Sequence, residues 1–159
     1  MSYKMVNVVE QRRNWVPGSR QDPYLAFNFV VEIDGVTVGG FTEVSGLSIE
    51  TQVERKTFGG ENYKEYAFLT QTKYSDITLK HGVTCDDYLW NWYQRVVNGI
   101  ITRKNGSICL LDQAGNPSIW WDFLEACPIK WEGPTFSASS SAVAAESIVL
   151  THNGIQMHR

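Results

Sequence analysis

The side chains of this sequence with the chemistry for catalysis or ligation are three histidines, three cysteines, an adjacent pair of acids and many serines. His81, His152 and His158 are scattered, and no HxH or HExxH spacing brings two imidazoles to one metal. His81 and His152 end predicted strands, where solvated side chains are expected. Asp86 and Asp87 open a predicted helix; consecutive helical residues project about 100° apart, so these carboxylates diverge, and their first-turn position suits the positive end of the helix dipole. Gly39-Gly40 and Gly59-Gly60 belong to neither GxGxxG nor GxxxxGK[ST], the patterns in which backbone N–H groups cradle phosphate, and read as backbone-geometry glycines. No serine stands in a GxSxG elbow, and Cys109 lies inside a predicted strand, away from a helix start that would stabilise its thiolate. Cys85, Cys109 and Cys127 are odd in number and not in CxxC spacing, which indicates neither a disulfide framework nor a zinc site and predicts small buried thiols. The expectation is no enzyme, no cofactor and no metal centre.

The elements that would position these residues are mostly strands. Phe27, Phe29, Val31 and Ile33 alternate with Asn28, Val30 and Glu32, the period of two of a strand with one face on a core. Asp34-Gly35 predicts a two-residue hairpin turn, because both central positions prefer positive φ, which Asp tolerates and Gly adopts without steric cost. Val36 and Val38 begin the return. Gly39-Gly40 predicts a bulge or a close backbone approach, and Ser45-Gly46 a bend before a β-type run through Val53. From Glu54 to Thr72 the alternation fades into a polar stretch punctuated by Phe58, Tyr63, Tyr66 and Phe68, which predicts a long aromatic binding loop. Tyr74 to His81 resumes, with Ile77 and Leu79 on one face and Asp76, Thr78 and Lys80 on the other, and Gly82 ends it.

Thr84 is placed to cap the one predicted helix, whose apolar stripe of Leu89, Trp92, Tyr93, Val96 and Val97 is expected against the outside of a sheet, with Asn98-Gly99 as the stop. Ser107 to Leu111 and Ser118 to Ala126 predict a second hairpin around DQAGNP. Pro128 lacks a ladder donor, so any continuation through Ile129 and Trp131 is expected at an edge or beyond a bulge. The SASSSA tract, 137–142, reads as a surface loop, and Glu146 to His152 as the last strand. Strands, one helix, then strands predict a mainly β barrel or sandwich with one flanking α-helix.

At 159 residues and 18.0 kDa the chain has the size of one domain that buries a core without disulfides. Charged residues are 19% and aromatics 13% with six Trp, so some large rings are expected to meet another subunit. A net charge of -3 and the lack of a basic run argue against a nucleic-acid binder that works by displacing phosphate counterions. No apolar stretch reaches the roughly 20 residues of a membrane-spanning helix, and MSYKMVNVVEQRRNW lacks the apolar core of a signal peptide, so synthesis in the cytoplasm is expected. Residues 1–21 predict an extended N-terminal arm that Trp15 could anchor on a neighbour, with 22–159 as the domain.

The block FNFVVEIDGVTVGGFTEVSGLSIE from Phe27 to Glu50, followed in order by KYSDITLKHGVT, LWNWY, ICLLDQAGNP and CPIKWEGP, resembles the tail tube proteins of contractile phage tails and phage-like contractile injection systems. The resemblance runs from about Asp22 to about Gly154 and rests on the order and spacing of the motifs. It implies a tail tube fold whose strands close with those of other subunits into a barrel, as six-fold rings stacked around a lumen. The implied partners are other copies of the chain, the sheath, baseplate or tube-initiator proteins, a terminator or cap, and cargo in the lumen. The tube is then driven through a target envelope by sheath contraction, within a phage tail or injection particle. Carried onto this chain, candidates for contact between rings are Phe58, Gly59, Gly60, Tyr63, Tyr66 and Phe68 with Phe41 and Leu47. Lumen-lining candidates are Asn28, Glu32, Asp76, Thr78 and Lys80. The lead-in before Asp22 leaves room for a tube-initiating subunit, and the alternative from another class is a monomeric β-barrel holding a small ligand in its mouth.

Overall fold

The computed structural model describes residues 28–38, 40–60, 63–83, 87–139 and 141–159. The N-terminal arm with Trp15, the first strand's Phe27, and Gly39, Thr84, Cys85 and Asp86 lie outside the described residues. The first hairpin forms as the sequence predicts. β1 (Phe29–Ile33) buries Val31 and Ile33, while Asp34 at φ 55 and Gly35 at φ 77 turn the chain into β2 (Val36–Val38). Ile33 pairs with Val36 and Val31 with Val38, the register a two-residue turn with both φ positive imposes.

Beyond the turn come β3 (Phe41–Ser45), β4 (Ile49–Lys56), β5 (Tyr66–Tyr74), β6 (Ile77–Gly82), α1 (Tyr88–Val97), β7 (Lys104–Leu111), β8 (Pro117–Glu132), β9 (Ala145–Thr151) and β10 (Gly154–His158). β8 is long enough to serve two sheets. Its first part pairs with β7 and β10, its last part with β9, and the ladder shifts register between Pro128 and Lys130. That shift is the bulge that Pro128 demands. One sheet therefore runs β2-β1-β7-β8-β10 and the other β8-β9-β6-β3, all antiparallel. Their inner faces hold Val31, Ile33, Ile108 and Phe123 from one side and Ile77, Leu79, Ile148 and Leu150 from the other.

α1 fills the gap at the side of this sandwich. Leu89 and Trp92 of the predicted stripe are buried in the main core, and the Trp92 indole donates to the Thr102 carbonyl at 2.8 Å. Burying a leucine side chain contributes about 2 kcal/mol, so the stripe anchors the helix without help from its start. Help from the start is in fact missing from Asp87: it occupies the N-cap position but makes no side-chain cap bond. The predicted stop is present in full. Gly99, at φ 83, donates to the Val96 carbonyl and Ile100 to the Arg95 carbonyl, the paired bonds of a Schellman end.

The structure revises the sequence reading of these elements at several points. Glu54 to Thr72 is mostly not a loop: β4 and β5 form a two-stranded ribbon of their own, paired from Ile49↔Tyr74 to Lys56↔Tyr66. Every described residue of it except Tyr66 is exposed, and the alternation of Ile49 and Val53 ends at Arg55 while β5 carries Tyr66 and Phe68 on one face and Leu69 on the other, so the pattern fades along the sequence. Of the bulge or close approach expected at Gly39-Gly40, a bulge follows at once, as the register shift of β3 between Phe41 and Glu43, while the close approach is at Gly46: a Cβ on Gly40 would meet nothing within 4 Å, whereas one on Gly46, at φ +91, would collide with the Asp76 carbonyl. Glu146 to His152 is also not the last strand, since β10 follows it along β8.

Candidate assembly surfaces

The hydrogen-bonded path of strands is open. It begins at β2 and ends at β3, with β10 attached to β8 alone, so among the described residues the sheets do not close into a barrel within one chain. Edges of this kind are templates for another strand.

The ribbon projects from the β3 and β6 end of this path. Cross-strand pairing puts Ile49 and Tyr74, Thr51 and Thr72, Val53 and Leu69, and Arg55 and Ala67 on one face. Ile49, Val53, Ala67 and Leu69 make that face largely apolar, and among the described residues it stays exposed, Leu69 at 75%. The opposite face carries Glu50 with Lys73, Glu54 with Phe68, and Lys56 with Tyr66, and Lys56 reaches Glu54 at 3.2 Å. An isolated two-stranded ribbon is marginally stable in water, so an amphipathic one that leaves its apolar side bare is built to be covered.

At the ribbon tip Phe58 packs edge-on against Tyr66 at 5.6 Å and Phe68 at 6.2 Å, and Lys64 stands 5.0 Å over the Tyr66 ring. Phe58, Tyr66 and Phe68 are thus brought together, with Gly59 and Gly60 in the adjoining turn and Tyr63 fully exposed beyond it. Leu47 stands apart, exposed at the break before β4. Phe41 differs from all of these, because it leans on the core and meets His81 edge-on at 5.6 Å.

The lumen-lining candidates divide between the two sheets. Thr78 and Lys80 point outward from β6 beside Ser45 and Glu43 of β3 and Ser147 of β9. They border a shallow groove of about 300 Å³. Its charges are mutually paired: Lys80 lies 4.0 Å from Glu43, and Lys130 lies 2.6 Å from Glu132, whose carboxyl is held below its ordinary range by that Lys130 contact. Hydroxyls and paired charges are unlike the apolar walls of a small-ligand site. Glu32 pairs with Ser107 on the other sheet, and Asn28, ahead of β1, donates to the Asp112 carbonyl at 2.7 Å. Asp76 sits in the break between β5 and β6.

The histidines are placed differently from the sequence expectation. His81 and His152 are buried, at 7% and 8% exposure, rather than solvated. His81 Nε2 lies 3.1 Å from Glu146 Oε1, and Glu146 Oε2 accepts from the Trp131 indole at 3.2 Å. His158 lies 2.9 Å from Asp122 and stacks on Trp120. Among the described residues no three His, Cys, Asp or Glu side chains converge as a metal site, and no helix is long and apolar enough to cross a membrane. Cys127 is buried, and burial raises the thiol of half-buried Cys109 above its ordinary range, with Glu32 adding to the rise and the Ser118 backbone opposing it.

The family model described as T4-like virus tail tube protein gp19 matches residues 25–156. The chain belongs to this tail tube family. Solved structures with the same fold include a chain of the extracellular contractile injection system PVC in its sheath-tube complex in the extended state, with 26% identity and a TM-score of 0.76 over 86% of this chain and 91% of that one. A chain of the PVC sheath/tube terminator has 25% identity and a TM-score of 0.79 over 89% and 100%. A chain of the anti-feeding prophage baseplate has 23% identity and a TM-score of 0.80 over 87% and 97%. No match was found among curated protein sequences. The mainly β sandwich with its single described helix is thus a tail tube fold, and the surfaces above are those of a structural family.

Proposed function

We propose that this chain is the repeating subunit of the inner tube of a contractile tail or injection system, closing into six-fold rings that stack around a lumen. The observation that carries the reading is the strand path left open, among the described residues, at β2 and β3, together with a ribbon that leaves Ile49, Val53 and Leu69 exposed. Identical neighbours supply both the missing strand partners and the missing cover. The outer face with Ser45, Thr78, Lys80 and Ser147 is the lumen wall: its polar, internally paired side chains leave little for a passing cargo to adhere to. The aromatic tip of the ribbon meets the next ring.

Membership of the tail tube family, and a fold shared with chains of sheath-tube, baseplate and terminator assemblies, support sheath, baseplate and terminator proteins as the partners. Sheath contraction then drives the stacked rings through a target envelope. Residues 1–21 form an arm outside the tube domain, 22–159, with Trp15 anchored on a neighbour. Light scattering with negative-stain microscopy on the purified chain tests the proposal. Ring-sized particles that lengthen into tubes with concentration are expected, and a monodisperse monomer at high concentration overturns it. Rings that never lengthen would instead identify the tube-initiating subunit.

A further inference from the structure

Two places where long strands break lie side by side, and one imidazole joins them. The β3–β6 ladder stops at Ser45↔Thr78 and the β4–β5 ladder starts at Ile49↔Tyr74. Between them the Ser75 N–H donates to the Ser48 carbonyl at 3.1 Å, but Ser75 belongs to neither ladder, so its own carbonyl has no strand partner. The second break is the corner at which β8 passes from β10 to β9. Glu125 there has φ 52, and the Asn153 N–H donates to the Leu124 carbonyl at 2.9 Å. His152 sits at this corner and is buried. Its Nε2 lies 2.8 Å from the Ser75 carbonyl, its Nδ1 lies 3.2 Å from the Gly154 carbonyl, and its ring packs against Tyr74 at 5.8 Å.

We infer that His152 is the positioning residue of the ribbon: by donating from Nε2 to Ser75 it ties the ribbon root to the sandwich corner and sets the angle at which β4 and β5 leave the body. The inference rests on the reading that the ribbon carries assembly contacts. The geometry makes the angle matter. At a strand rise of about 3.3 Å per residue, the nine residues from Ile49 to Thr57 span roughly 30 Å, so a swing of about 10° at the root displaces the tip by about 5 Å, more than a contact between neighbouring rings tolerates. Neither ladder spans the break, and besides His152 it is held by the Ser75 to Ser48 backbone bond and the close approach of Gly46 to the Asp76 carbonyl.

The test compares His152→Gln, His152→Asn and His152→Leu in the full chain, reading the concentration at which rings and tubes appear by light scattering, with circular dichroism as the check on folding. Glutamine presents an amide N–H about as far from the backbone as Nε2 and is expected to assemble near the parental concentration. Asparagine is too short and leucine has no donor; both are expected to need about tenfold more protein, the scale of one lost hydrogen bond. Parental assembly by the Asn and Leu variants, or a Gln variant no better than Leu, overturns the inference. Should the Leu variant not fold, the Gln and Asn pair decides in the same way. A Val53→Asp, Leu69→Asp variant on the ribbon's apolar face separates the two claims. If it assembles like the parent, the ribbon reading fails; if it blocks assembly while the Asn and Leu variants assemble normally, the role of His152 alone fails.

Discussion

The ring of Phe123 packs against the bare backbone of Gly106 on the neighbouring strand. A Cβ built on Gly106 would stand 2.7 Å from Phe123 Cε2 and 2.6 Å from the Glu32 carbonyl, so the absence of a side chain lets the largest fully buried side chain of the core reach its place. Gly106→Ala is expected to destabilise the chain by about 1 to 3 kcal/mol through overpacking, and Phe123→Ala by about 3 to 5 kcal/mol through the cavity it leaves. The two costs are not fully additive, because removing the ring relieves the methyl group's clash with Phe123 and leaves only the one with the Glu32 carbonyl. Urea unfolding of the dispersed chain measures all three values; a Gly106→Ala variant as stable as the parent would contradict the packing argument.

Gly46 governs a second close approach, at the root of the ribbon. An alanine there keeps a left-handed φ that costs about 1 to 3 kcal/mol and also collides with the Asp76 carbonyl, so the break must open. Gly46→Ala is expected to impair ring formation more than its loss of thermal stability would account for. A parallel measurement of melting temperature and assembly threshold shows whether the two effects separate.

Asp112 stabilises the turn between β7 and β8. Its carboxylate accepts from the backbone N–H groups of Asn116 and Ala114, and the Asn116 bond is the largest cause of a pKa below the ordinary value. For a depressed carboxyl the stabilisation is fully present above the unfolded-state pKa and is lost as pH falls through the lower folded-state value, so the window lies below about pH 4. The melting temperatures of the parent and of Asp112→Ala are expected to differ by a constant amount from neutral pH down to about pH 4 and to converge below it. A difference that persists unchanged into strong acid would show that the charge on Asp112 is irrelevant to the turn.

Phe58 and Phe68 are 54% and 43% exposed, so their edge-on contact adds little to the stability of a single chain. Phe58→Ala with Tyr63→Ala is expected to shorten the tubes seen by negative stain while leaving the melting temperature within a degree or so, as is usual for surface substitutions. Tubes of parental length would remove the ribbon tip from the contact between rings.

How much of this was legible beforehand depended on burial. Val31, Ile33, Ile77, Leu79, Ile148 and Leu150 alternate because one side of each strand meets a dry core, and there the sequence located strand and face together, with register only at the first hairpin. Asp34-Gly35, Pro128 and Asn98-Gly99 acted through backbone geometry alone, and the hairpin turn, the bulge and the helix end follow from them. The ribbon was legible only in part. Ile49 and Val53 marked the first part of β4 as a β-type run, but Arg55 breaks that alternation and β5 carries Tyr66 and Phe68 on one face and Leu69 on the other, so the end of β4 and most of β5 looked like a loop. The tip aromatics could be named from the sequence, but that Phe58, Tyr66 and Phe68 form one cluster while Phe41 leans on the core required the pairing of β4 with β5.

By itself, the sequence determined where the chain turns and which apolar strand residues it buries, because φ preferences and hydrophobic periodicity are local properties of neighbouring residues. Only the tertiary structure decided that Thr78 and Lys80 share a face with Ser45 and Ser147 while Glu32 lies on the other sheet, and that His152 reaches Ser75 from 77 positions away. Those juxtapositions come from β8 bending between two sheets and carrying β9 and β10 with it, a long-range arrangement that no local pattern encodes.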